Sequence, residues 1–277
     1  MNTSHPVKLD GEQLSAQLLN SLANIITENK LQPKLNIILT TDNKVSLQYV
    51  NLKKQRGADS GIDVTVHNAA DNSQDEIISL IQDLARGNKK AGIIVQLPLR
   101  GDLDQEKILK SIPVENDVDQ LNRIINNHPF TQPVAGAVKL LLQEAGYGLD
   151  KLKTFAPKKI HVIGKGFLVG KPIVSWLQQN EIQPVVYTRG DDFDSLRSAK
   201  IVISGAGSGH LVTADMISEG VVLIDAGTSS DSGEIIGDIH PDCYSKSDFY
   251  TPVPGGVGPL TLAKLFENTV ILASNEV

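Results

Sequence analysis

The sequence predicts an α/β protein of two domains, in which mostly parallel strands alternate with helices. Three observations predict this fold class. Apolar runs of strand length alternate with helical patterns along most of the chain. The alternation stops near residues 135–144 and then restarts, and 277 residues are enough for one large domain or two ordinary ones. Strands separated by helices of this size form βαβ units, whose sheets are mostly parallel.

The first half of the chain contains three predicted helices and three predicted strands. In the first helix, Leu14, Leu18 and Leu22 recur at helical spacing, whereas the strand-like runs are short and apolar. Pro98 follows the third strand, and a proline at that point ends the pairing. The predicted helices span 11–29, 44–57 and 75–86, and the predicted strands span 35–39, 62–66 and 92–97.

The same rhythm restarts in the second half. Four strands are predicted there, over 159–163, 184–187, 201–204 and 221–225, with a helix over 167–179. A last helix, over 259–274, follows a crossing rich in proline and glycine, and we expect it to return to the first domain. The predicted domains are therefore 1–142 with 252–277, a three-layer α/β domain, and 143–251, a Rossmann-type domain.

Composition and charge argue against several classes of protein. The net charge of −6 suggests no basic surface for nucleic acid, and no stretch approaches the roughly 20 apolar residues of a membrane span. The N-terminus lacks an apolar run of signal-peptide length, so the expected location is the cytoplasm. Cys243 is the only cysteine, which excludes an intramolecular disulfide. No histidine stands at ligand spacing from another histidine or from Cys243, so no catalytic metal is expected.

A glycine-rich turn joins the first strand of the second half to its helix. Gly164, Gly166 and Gly170 follow the pattern G-x-G-x-x-x-G, one residue longer than the common dinucleotide fingerprint. Glycines let the backbone approach a pyrophosphate, and the N-terminus of the helix presents free N–H groups and the positive end of its dipole. The alternative is an ordinary tight turn, but the strand before it and the helix after it favour a dinucleotide site.

The end of the next strand indicates which dinucleotide would bind. An acidic residue at that position would bind the ribose 2′-hydroxyl of NAD. The strand instead leads into Arg189, and both Arg189 and Lys165 are suited to the 2′-phosphate of NADP. NADP is therefore the predicted cofactor. NAD stays the alternative, because Asp191 and Asp192 follow directly and an exposed arginine can also be merely solvated.

Tyr49 and Lys53 stand four residues apart in the second predicted helix and therefore share one face. The ring can stack on a flat substrate while the amine handles protons, although a half-buried tyrosine and a solvated lysine are the commoner outcome. Gln96 favours a substrate site over that commoner outcome, because it interrupts an apolar strand at its carboxyl end, where ligands bind in open α/β sheets. Asp117 and Asp119 add carboxylates in a later loop, and either can also be a solvated acid or a helix cap.

The most specific segment of the sequence is 251–263, which reads TPVPGGVGPLTLA. It is a rigid crossing of prolines and glycines that opens a helix and suits the lining of a cleft between two domains. The segment resembles the signature of the methylenetetrahydrofolate dehydrogenase/cyclohydrolase family. Supporting segments are S-x-x-Y-V-x-x-K at 46–53, VQLPL at 95–99, DVD at 117–119, the glycine turn at 162–172, LIDAG at 223–227 and GDI at 237–239.

The resemblance implies a bifunctional enzyme of one-carbon metabolism, which also serves purine biosynthesis. Such an enzyme oxidises 5,10-methylenetetrahydrofolate to the methenyl form with NADP⁺ and hydrolyses the product to 10-formyltetrahydrofolate. By the same resemblance, Lys53 handles protons and Tyr49 stacks on the aminobenzoyl ring of the substrate. Gln96 hydrogen-bonds near Lys53, and Asp119 holds the pterin. Further implied contacts are Pro254, Gly255 and Gly256 for the substrate, and Gly164, Lys165, Gly166, Val169, Gly170, Arg189 and Gly227 for the cofactor.

The resemblance also implies how the two predicted domains divide the work. The range 1–142 with 252–277 is expected to bind tetrahydrofolate derivatives, and 143–251 is expected to bind NAD(P). We expect a nicotinamide held by the Gly164 turn to lie across a cleft from the amine of Lys53. A homodimer is expected from the resemblance alone.

Several positions depart from the family's pattern. Gln120 replaces the glycine that usually follows the second aspartate, Gly166 replaces a serine in the dinucleotide turn, and the segment 121–136 is altered. Such supporting residues can matter as much as those that touch the substrate. Two alternatives therefore stay open: a dehydrogenase without hydrolase activity, and a non-catalytic folate- or nucleotide-binding protein on the same fold. Retention of the four predicted catalytic residues argues against the second alternative.

Overall fold

A computed structural model describes residues 5–122, 130–155, 158–231 and 233–274 of the chain. The α-helices are α1 (Gly11–Glu28), α2 (Lys44–Asp59), α3 (Gln74–Gly87), α4 (Gln105–Lys110), α5 (Pro133–Glu144), α6 (Leu149–Thr154), α7 (Gly170–Gln179) and α8 (Val257–Ser274). The strands are β1 (Val7–Lys8), β2 (Lys34–Leu39), β3 (Asp63–Asn68), β4 (Ala91–Val95), β5 (Ile160–Ile163), β6 (Val185–Tyr187), β7 (Ile201–Ser204), β8 (Val221–Asp225), β9 (Ser229–Asp231), β10 (Glu234–Ile236) and β11 (Ser247–Tyr250).

The chain divides into two compact units. Residues 16–133 and 262–277 form the first-half unit, and residues 1–15 and 134–261 form the second-half unit. The predicted domain ranges stay a prediction, and they differ from these units most clearly in where they place residues 1–15. Those residues belong with the second half because β1 pairs with β11.

The first-half unit is built on a parallel sheet in the order β3-β2-β4. Along the central strand β2, the side chains of Leu35, Ile37 and Leu39 alternate onto one face and join an apolar cluster that includes Phe266 of α8. The helix α2 packs closely on β3, because a Cβ added at Gly57 would lie 2.3 Å from a methyl group of Val64. The carboxyl ends of all three strands therefore lie at one edge of the sheet, where the loop to α2 starts.

The C-terminal part of α8 belongs to the first-half unit. Residues 262–277 count with that unit, and Phe266 is completely buried in its core. The side-chain amide of Asn268 donates to the carbonyl oxygens of Val118 and Thr131, at 2.7 and 2.8 Å. The predicted return of the last helix is therefore confirmed, and the helix also fixes the loop that carries Asp119.

The second-half unit contains a six-stranded sheet in the order β1-β11-β8-β7-β5-β6, in which all neighbours are parallel. The strands β5, β7 and β8 are buried along their whole length, which explains their continuous apolar runs. From β5 the sheet extends toward β6 on one side and toward β7 on the other. The end of β5 is therefore a topological switch point, where ligands bind in such sheets. The predicted α/β fold class is confirmed.

Several predicted boundaries of helices and strands differ from the structure by two or three residues, and two of these differences affect the glycine turn and the segment around Gln96. The helix predicted from residue 167 begins at Gly170, because Val169 still has non-helical backbone angles (φ −124°, ψ −68°). The strand predicted over 92–97 ends at Val95. After Val95 the strand makes one more ladder bond, from the N–H of Gln96 to the carbonyl oxygen of Ile38 at 2.9 Å. The pairing then ends because Pro98 has no N–H to donate.

Candidate active site

The helix α2 has one face that is buried and one that is open to solvent. Asn43 caps its N-terminus, and the side-chain oxygen of Asn43 accepts from the N–H of Ser46 at 2.8 Å. Ser46, Val50 and Gly57 are buried on one face. Lys53 follows Val50 by three residues and therefore lies on that face, where it is half-buried. The helix thus directs the amine inward, toward the carboxyl edge of the sheet.

The side chain of Gln96 holds the amine of Lys53. Lys53 Nζ donates to Gln96 Oε1 at 2.9 Å, and Gln96 Nε2 donates to the carbonyl oxygen of Leu97 at 2.8 Å. The second bond determines which end of the amide faces the amine. Gln96 is the first residue after β4, so the end of this strand positions it.

Tyr49 lies one helical turn before Lys53, and its ring is exposed to solvent. The amine of Lys53 is 5.9 Å from the centroid of the ring, and 48% of Tyr49 is exposed. An exposed aromatic ring beside an amine provides a flat apolar surface next to a group that can move protons.

Asp119 is electrostatically coupled to Lys53. Burial lowers the pKa of Lys53, because it penalises the charged ammonium, while the carboxylate of Asp119 opposes that shift. Burial raises the pKa of Asp119 for the same reason, and the ammonium of Lys53 opposes it. The structure therefore brings Lys53, Gln96, Tyr49 and Asp119 together in the first-half unit.

Asp117 is completely buried in the loop that carries Asp119. Its Oδ2 accepts from the N–H of Asn122 at 2.7 Å, and burial raises its pKa to about 7. Within the described ranges, Asp117 Oδ1, Gln120 Nε2 and Asn122 Oδ1 are buried without a hydrogen-bond partner. The altered segment 121–136 lies partly outside the described residues, which stop at 122 and resume at 130.

Arg100 has a role that the sequence did not reveal. Its guanidinium donates to the carboxylate of Asp102 and to the carbonyl oxygens of Ala70 and Asn72. The backbone N–H of Arg100 donates to Thr40 Oγ1. It thereby ties together the loops that follow β2, β3 and β4. These loops are far apart in sequence, so no spacing or periodicity indicates the contact.

The turn after β5 is packed so closely that two of its glycines have no room for a side chain. Gly164 has φ +92°, and a Cβ added there would lie 2.6 Å from the carbonyl oxygen of Gly205. A Cβ added at Gly170 would lie 2.1 Å from the carbonyl oxygen of Gly164. Both positions therefore require glycine. The helix α7 begins at Gly170, so its N-terminus lies at this turn, and the N–H of Lys171 donates to the carbonyl oxygen of Gly166 at 3.0 Å.

Two cationic side chains belong to this region of the second-half unit: Lys165 lies in the turn and Arg189 follows β6. Lys165 and Arg189 are exposed, and in the described part of the chain neither side chain forms an ion pair or a hydrogen bond. The carboxylate of Asp191 is instead engaged by Thr188, which donates its N–H at 2.6 Å and its hydroxyl at 2.8 Å. A glycine turn, a helix N-terminus and two unneutralised cations fit a dinucleotide that carries an additional phosphate.

The glycine-rich crossing before α8 belongs to the second-half unit. Gly255 has φ +102°, and its carbonyl accepts from the N–H of Glu12 at 3.2 Å. A Cβ added at Gly11 would lie 1.8 Å from the carbonyl oxygen of Gly256, so α1 begins directly against the crossing. The substrate contacts predicted for Pro254, Gly255 and Gly256 stay a prediction, and these residues lie in a different unit from Lys53.

Two other glycines of the predicted cofactor site differ in their surroundings. A Cβ added at Gly227 would lie 2.0 Å from the carboxyl carbon of Asp238, so this glycine makes room for a carboxylate. A Cβ added at Gly166 would meet nothing within 4 Å. The exposed turn therefore has space for the serine that the family's pattern has at this position.

No helix in the described ranges is long and apolar enough to cross a bilayer. The described residues also contain no group of three or more His, Cys, Asp or Glu side chains arranged to hold a metal ion. Cys243 is buried, and burial raises the pKa of its thiol to about 11, so the thiol stays protonated and unreactive at neutral pH.

Two family models together match nearly the whole chain. Residues 9–119 match the catalytic domain of the tetrahydrofolate dehydrogenase/cyclohydrolase family, and residues 133–277 match the NAD(P)-binding domain of the same family. The chain belongs to this family. The resemblance stated from the sequence is thereby confirmed.

Relatives within the family match over nearly their full length. The bifunctional protein FolD of Moorella thermoacetica is 33% identical over 276 residues, which cover 95% of this chain and 96% of that protein. The crystal structure of the bifunctional enzyme FolD of Campylobacter jejuni matches with a TM-score of 0.85 at 32% identity, covering 98% of this chain and 99% of that chain. The Trypanosoma brucei FolD, complexed with NADP cofactor and inhibitor, matches with a TM-score of 0.89 at 26% identity and covers 98% of both chains.

Gln120 adopts the backbone conformation that favours glycine, at the position where the family's pattern has one. Its φ is +53°, and its carbonyl oxygen accepts from Gln132 Nε2 at 3.0 Å. The loop after Asp119 therefore turns through a left-handed residue, and the Cβ of Gln120 makes that turn sterically strained.

Proposed function

We propose that the chain oxidises 5,10-methylenetetrahydrofolate to 5,10-methenyltetrahydrofolate with NADP⁺ and hydrolyses that product to 10-formyltetrahydrofolate. Membership of the family supports the pair of activities, and the matching proteins of M. thermoacetica and C. jejuni carry the name of a bifunctional enzyme. The observation that carries the proposal is the 2.9 Å hydrogen bond from the half-buried amine of Lys53 to Gln96, beside Tyr49 and Asp119.

In the hydrolysis, Lys53 takes a proton from the attacking water. Its lowered pKa increases the fraction of neutral amine near neutral pH, and the bond to Gln96 holds that amine in place. The water oxygen adds to the methenyl carbon, and the bond from that carbon to one ring nitrogen breaks. The remaining hydroxyl proton goes to the released nitrogen, which leaves a formyl group, and the carboxylate of Asp119 stabilises the ammonium of Lys53.

In the oxidation, the residues of this chain hold and orient the two reactants. NADP⁺, when bound, accepts a hydride from the bridging methylene group. The Gly164 turn and the N-terminus of α7 would hold its pyrophosphate, with Lys165 and Arg189 toward its 2′-phosphate. Tyr49 would stack on the aminobenzoyl ring and Asp119 would hold the pterin, because hydride transfer depends on positioning above all.

A dehydrogenase without hydrolase activity is the second candidate, and the conformation of Gln120 favours it. The strained backbone at Gln120 stands directly after Asp119. If the strain shifts the carboxylate, the hydrolysis loses its support for the ammonium of Lys53, whereas the oxidation loses only one contact to the pterin and needs no proton transfer.

A paired assay tests both candidates. Formation of NADPH from methylenetetrahydrofolate measures the oxidation, and decay of methenyltetrahydrofolate measures the hydrolysis. We expect both reactions, and faster oxidation with NADP⁺ than with NAD⁺. Oxidation without hydrolysis would select the second candidate. Absence of both reactions, with retained ligand binding, would contradict the proposal and indicate a binding protein.

A homodimer in the cytoplasm is the expected form of the enzyme. The homodimer is expected from the family resemblance alone and the cytoplasm from the sequence, and both stay predictions. Light scattering of the purified protein measures the oligomeric state, and a monomer at micromolar concentration would contradict the first of them.

A further inference from the structure

Two buried aspartates of the second-half unit interlock, although neither takes part in the chemistry described above. Asp225 ends β8 and Asp238 follows β10, and they are 1% and 0% exposed. A Cβ added at Gly227 would lie 2.0 Å from the carboxyl carbon of Asp238, and one added at Gly237 would lie 2.2 Å from Asp225 Oδ2. The carboxylate of Asp238 therefore packs against Gly227, which is close to Asp225 in the chain, and the carboxylate of Asp225 packs against Gly237, which precedes Asp238.

The carboxylate of Asp238 accepts four hydrogen bonds from the end of β7 and the loop that follows. Its Oδ2 accepts from Ser204 Oγ and the N–H of Ala206, both at 2.7 Å, and from the N–H of Gly207 at 3.3 Å. Its Oδ1 accepts from the N–H of Ser208 at 2.7 Å. Successive backbone N–H groups that converge in this way form an anion-binding nest. The protein's own carboxylate occupies this nest and thereby fixes the loop.

The fixed loop forms one wall of the Gly164 turn. The Cβ position of Gly164 lies 2.6 Å from the carbonyl oxygen of Gly205 and 2.9 Å from the Cα of Ala206. On the other side, the Cβ position of Gly205 lies 2.4 Å from a methyl group of Val169. Because no gap separates the loop from the turn, a shift of the loop displaces the turn as well.

Asp225 holds the backbone around Asp238. Its Oδ2 accepts from the N–H of Ile239 at 2.8 Å, and its Oδ1 accepts from the N–H of Gly227 at 3.0 Å. Its own N–H donates to Thr251 Oγ1 at 2.7 Å. Asp225 therefore fixes the backbone from which the Asp238 carboxylate extends.

We propose that Asp238 is a positioning residue for the dinucleotide site: its carboxylate holds loop 205–208 against the Gly164 turn and so sets the affinity for NADP⁺ without touching it. The inference rests on the proposed function, because it assigns the dinucleotide to the Gly164 turn. It also explains why Gly227 must be glycine, since a side chain there would displace the Asp238 carboxylate.

The variant Asp238→Asn tests the proposal. The amide replaces one accepting oxygen by an NH₂ group, which cannot accept a backbone N–H. We expect the Kd for NADP⁺, measured by titration calorimetry, to rise about tenfold, in line with hydrogen bonds to a charged group. Hydrolysis of methenyltetrahydrofolate, measured without cofactor, consumes no NADP⁺, and the residues proposed for it belong to the first-half unit. We therefore expect its rate to stay within about twofold of the wild type, because substitutions at sites that share no partners usually act independently.

Two further variants keep the test decisive. Asp242→Asn removes an exposed carboxylate four residues away and is expected to leave the Kd unchanged. If Asp238→Asn does not fold, Ser204→Ala removes one of the four donors and leaves the carboxylate in place. We expect Ser204→Ala to weaken NADP⁺ binding about threefold, as for a single hydrogen bond.

The outcomes separate this inference from the proposed function. Folded variants at Asp238 and Ser204 that bind NADP⁺ with the wild-type Kd would overturn the inference alone. A parallel loss of binding and hydrolysis would also overturn it, because it would indicate general damage to the fold. A wild-type protein that binds neither NADP⁺ nor NAD⁺ would contradict the proposed function, and this inference with it.

Discussion

The candidate sites of the two units differ in what forms them: one consists of functional side chains, and the other depends on glycines that have none. In the first-half unit the site is a set of side chains, of which the amine of Lys53 and the amide of Gln96 are joined at 2.9 Å. In the second-half unit the site is defined by missing side chains, because Gly164 and Gly170 leave room for close backbone contacts. A substitution in the first site removes a chemical group, whereas a substitution in the second adds atoms and displaces the backbone. The two kinds of damage should therefore be separable by experiment.

Removal of the amine should have the largest effect. In Lys53→Met the side chain keeps its length but loses the group that takes the proton, so we expect hydrolysis of methenyltetrahydrofolate to fall by about 10²–10⁴-fold, as for a general base. The decay of the methenyl substrate measures the rate. Lys54→Met is the matched control, because Lys54 is the adjacent exposed lysine. A wild-type rate in Lys53→Met would remove Lys53 from its proposed role.

The pH dependence of stability compares the interiors of the two units. Burial raises the pKa of Asp117 and of Asp225 to about 7, from an ordinary value of 3.8. Each folded carboxyl keeps a proton that the unfolded chain releases. The resulting stability is fully present below pH 3.8 and is lost as the pH rises through about 7.

Asp117→Asn and Asp225→Asn should each remove part of this decline. An asparagine stays neutral at every pH, so each variant should lose a contribution on the order of 4 kcal/mol to the pH dependence, at ~1.4 kcal/mol per pKa unit. Urea unfolding at several pH values across the window measures the free energy of unfolding. A slope identical to that of the wild type in both variants would show that neither carboxyl is protonated in the folded protein.

The sequence predicted most of the fold because its information is local. Short apolar runs and helical periodicity indicated all three strands of the first-half sheet and four of the six strands of the second-half sheet, and the spacing of Tyr49 and Lys53 placed both on α2. The strand end at Gln96 indicated a polar group at the ligand-binding edge. These features depend on neighbours within a few residues, so a single sequence contains them.

The remaining features depend on contacts between distant segments. The strand Val7–Lys8 has two exposed residues and no apolar pattern, and only its pairing with β11 places it in the second-half unit. The contacts of Arg100 and the four bonds to Asp238 join loops that are far apart in sequence. Such contacts have no periodicity, so the sequence alone could not predict them.

Adding one methyl group to the dinucleotide turn should damage the second-half unit. In Gly164→Ala the new Cβ meets the carbonyl of Gly205 at 2.6 Å in a left-handed backbone. We expect the free energy of unfolding to fall by about 1–3 kcal/mol and NADP⁺ binding to weaken with it. Gly166→Ala is the control in the same turn, because its Cβ meets nothing within 4 Å. Equal effects of the two variants would contradict the proposed geometry of the turn.

Arg189 should distinguish the two cofactors. Arg189→Ala removes a cation without disturbing the backbone, so we expect the Kd for NADP⁺ to rise about tenfold through loss of a charge-assisted bond, while the Kd for NAD⁺ stays nearly constant. Fluorescence titration with each cofactor measures both constants. An equal change in the two would show that Arg189 does not contact the 2′-phosphate.

Gln120 should give the smallest effect, and one of opposite sign. Gln120→Gly removes the Cβ from a backbone with φ +53°, so we expect the free energy of unfolding to increase by about 1 kcal/mol. Gln120→Ala is the control, because it keeps the Cβ and also removes the buried amide. An equal increase in the free energy of unfolding in both variants would show that the buried amide, and not the left-handed backbone, destabilises the loop.

The most direct test measures two quantities side by side on Lys53→Met and Gly164→Ala: the rate of methenyltetrahydrofolate hydrolysis and the Kd for NADP⁺. We predict that Lys53→Met loses hydrolysis and binds NADP⁺ like the wild type, whereas Gly164→Ala binds NADP⁺ weakly and retains hydrolysis. If both folded variants lose both properties together, or if Lys53→Met hydrolyses the substrate at the wild-type rate, the assignment of proton transfer to Lys53 and cofactor binding to the Gly164 turn is contradicted.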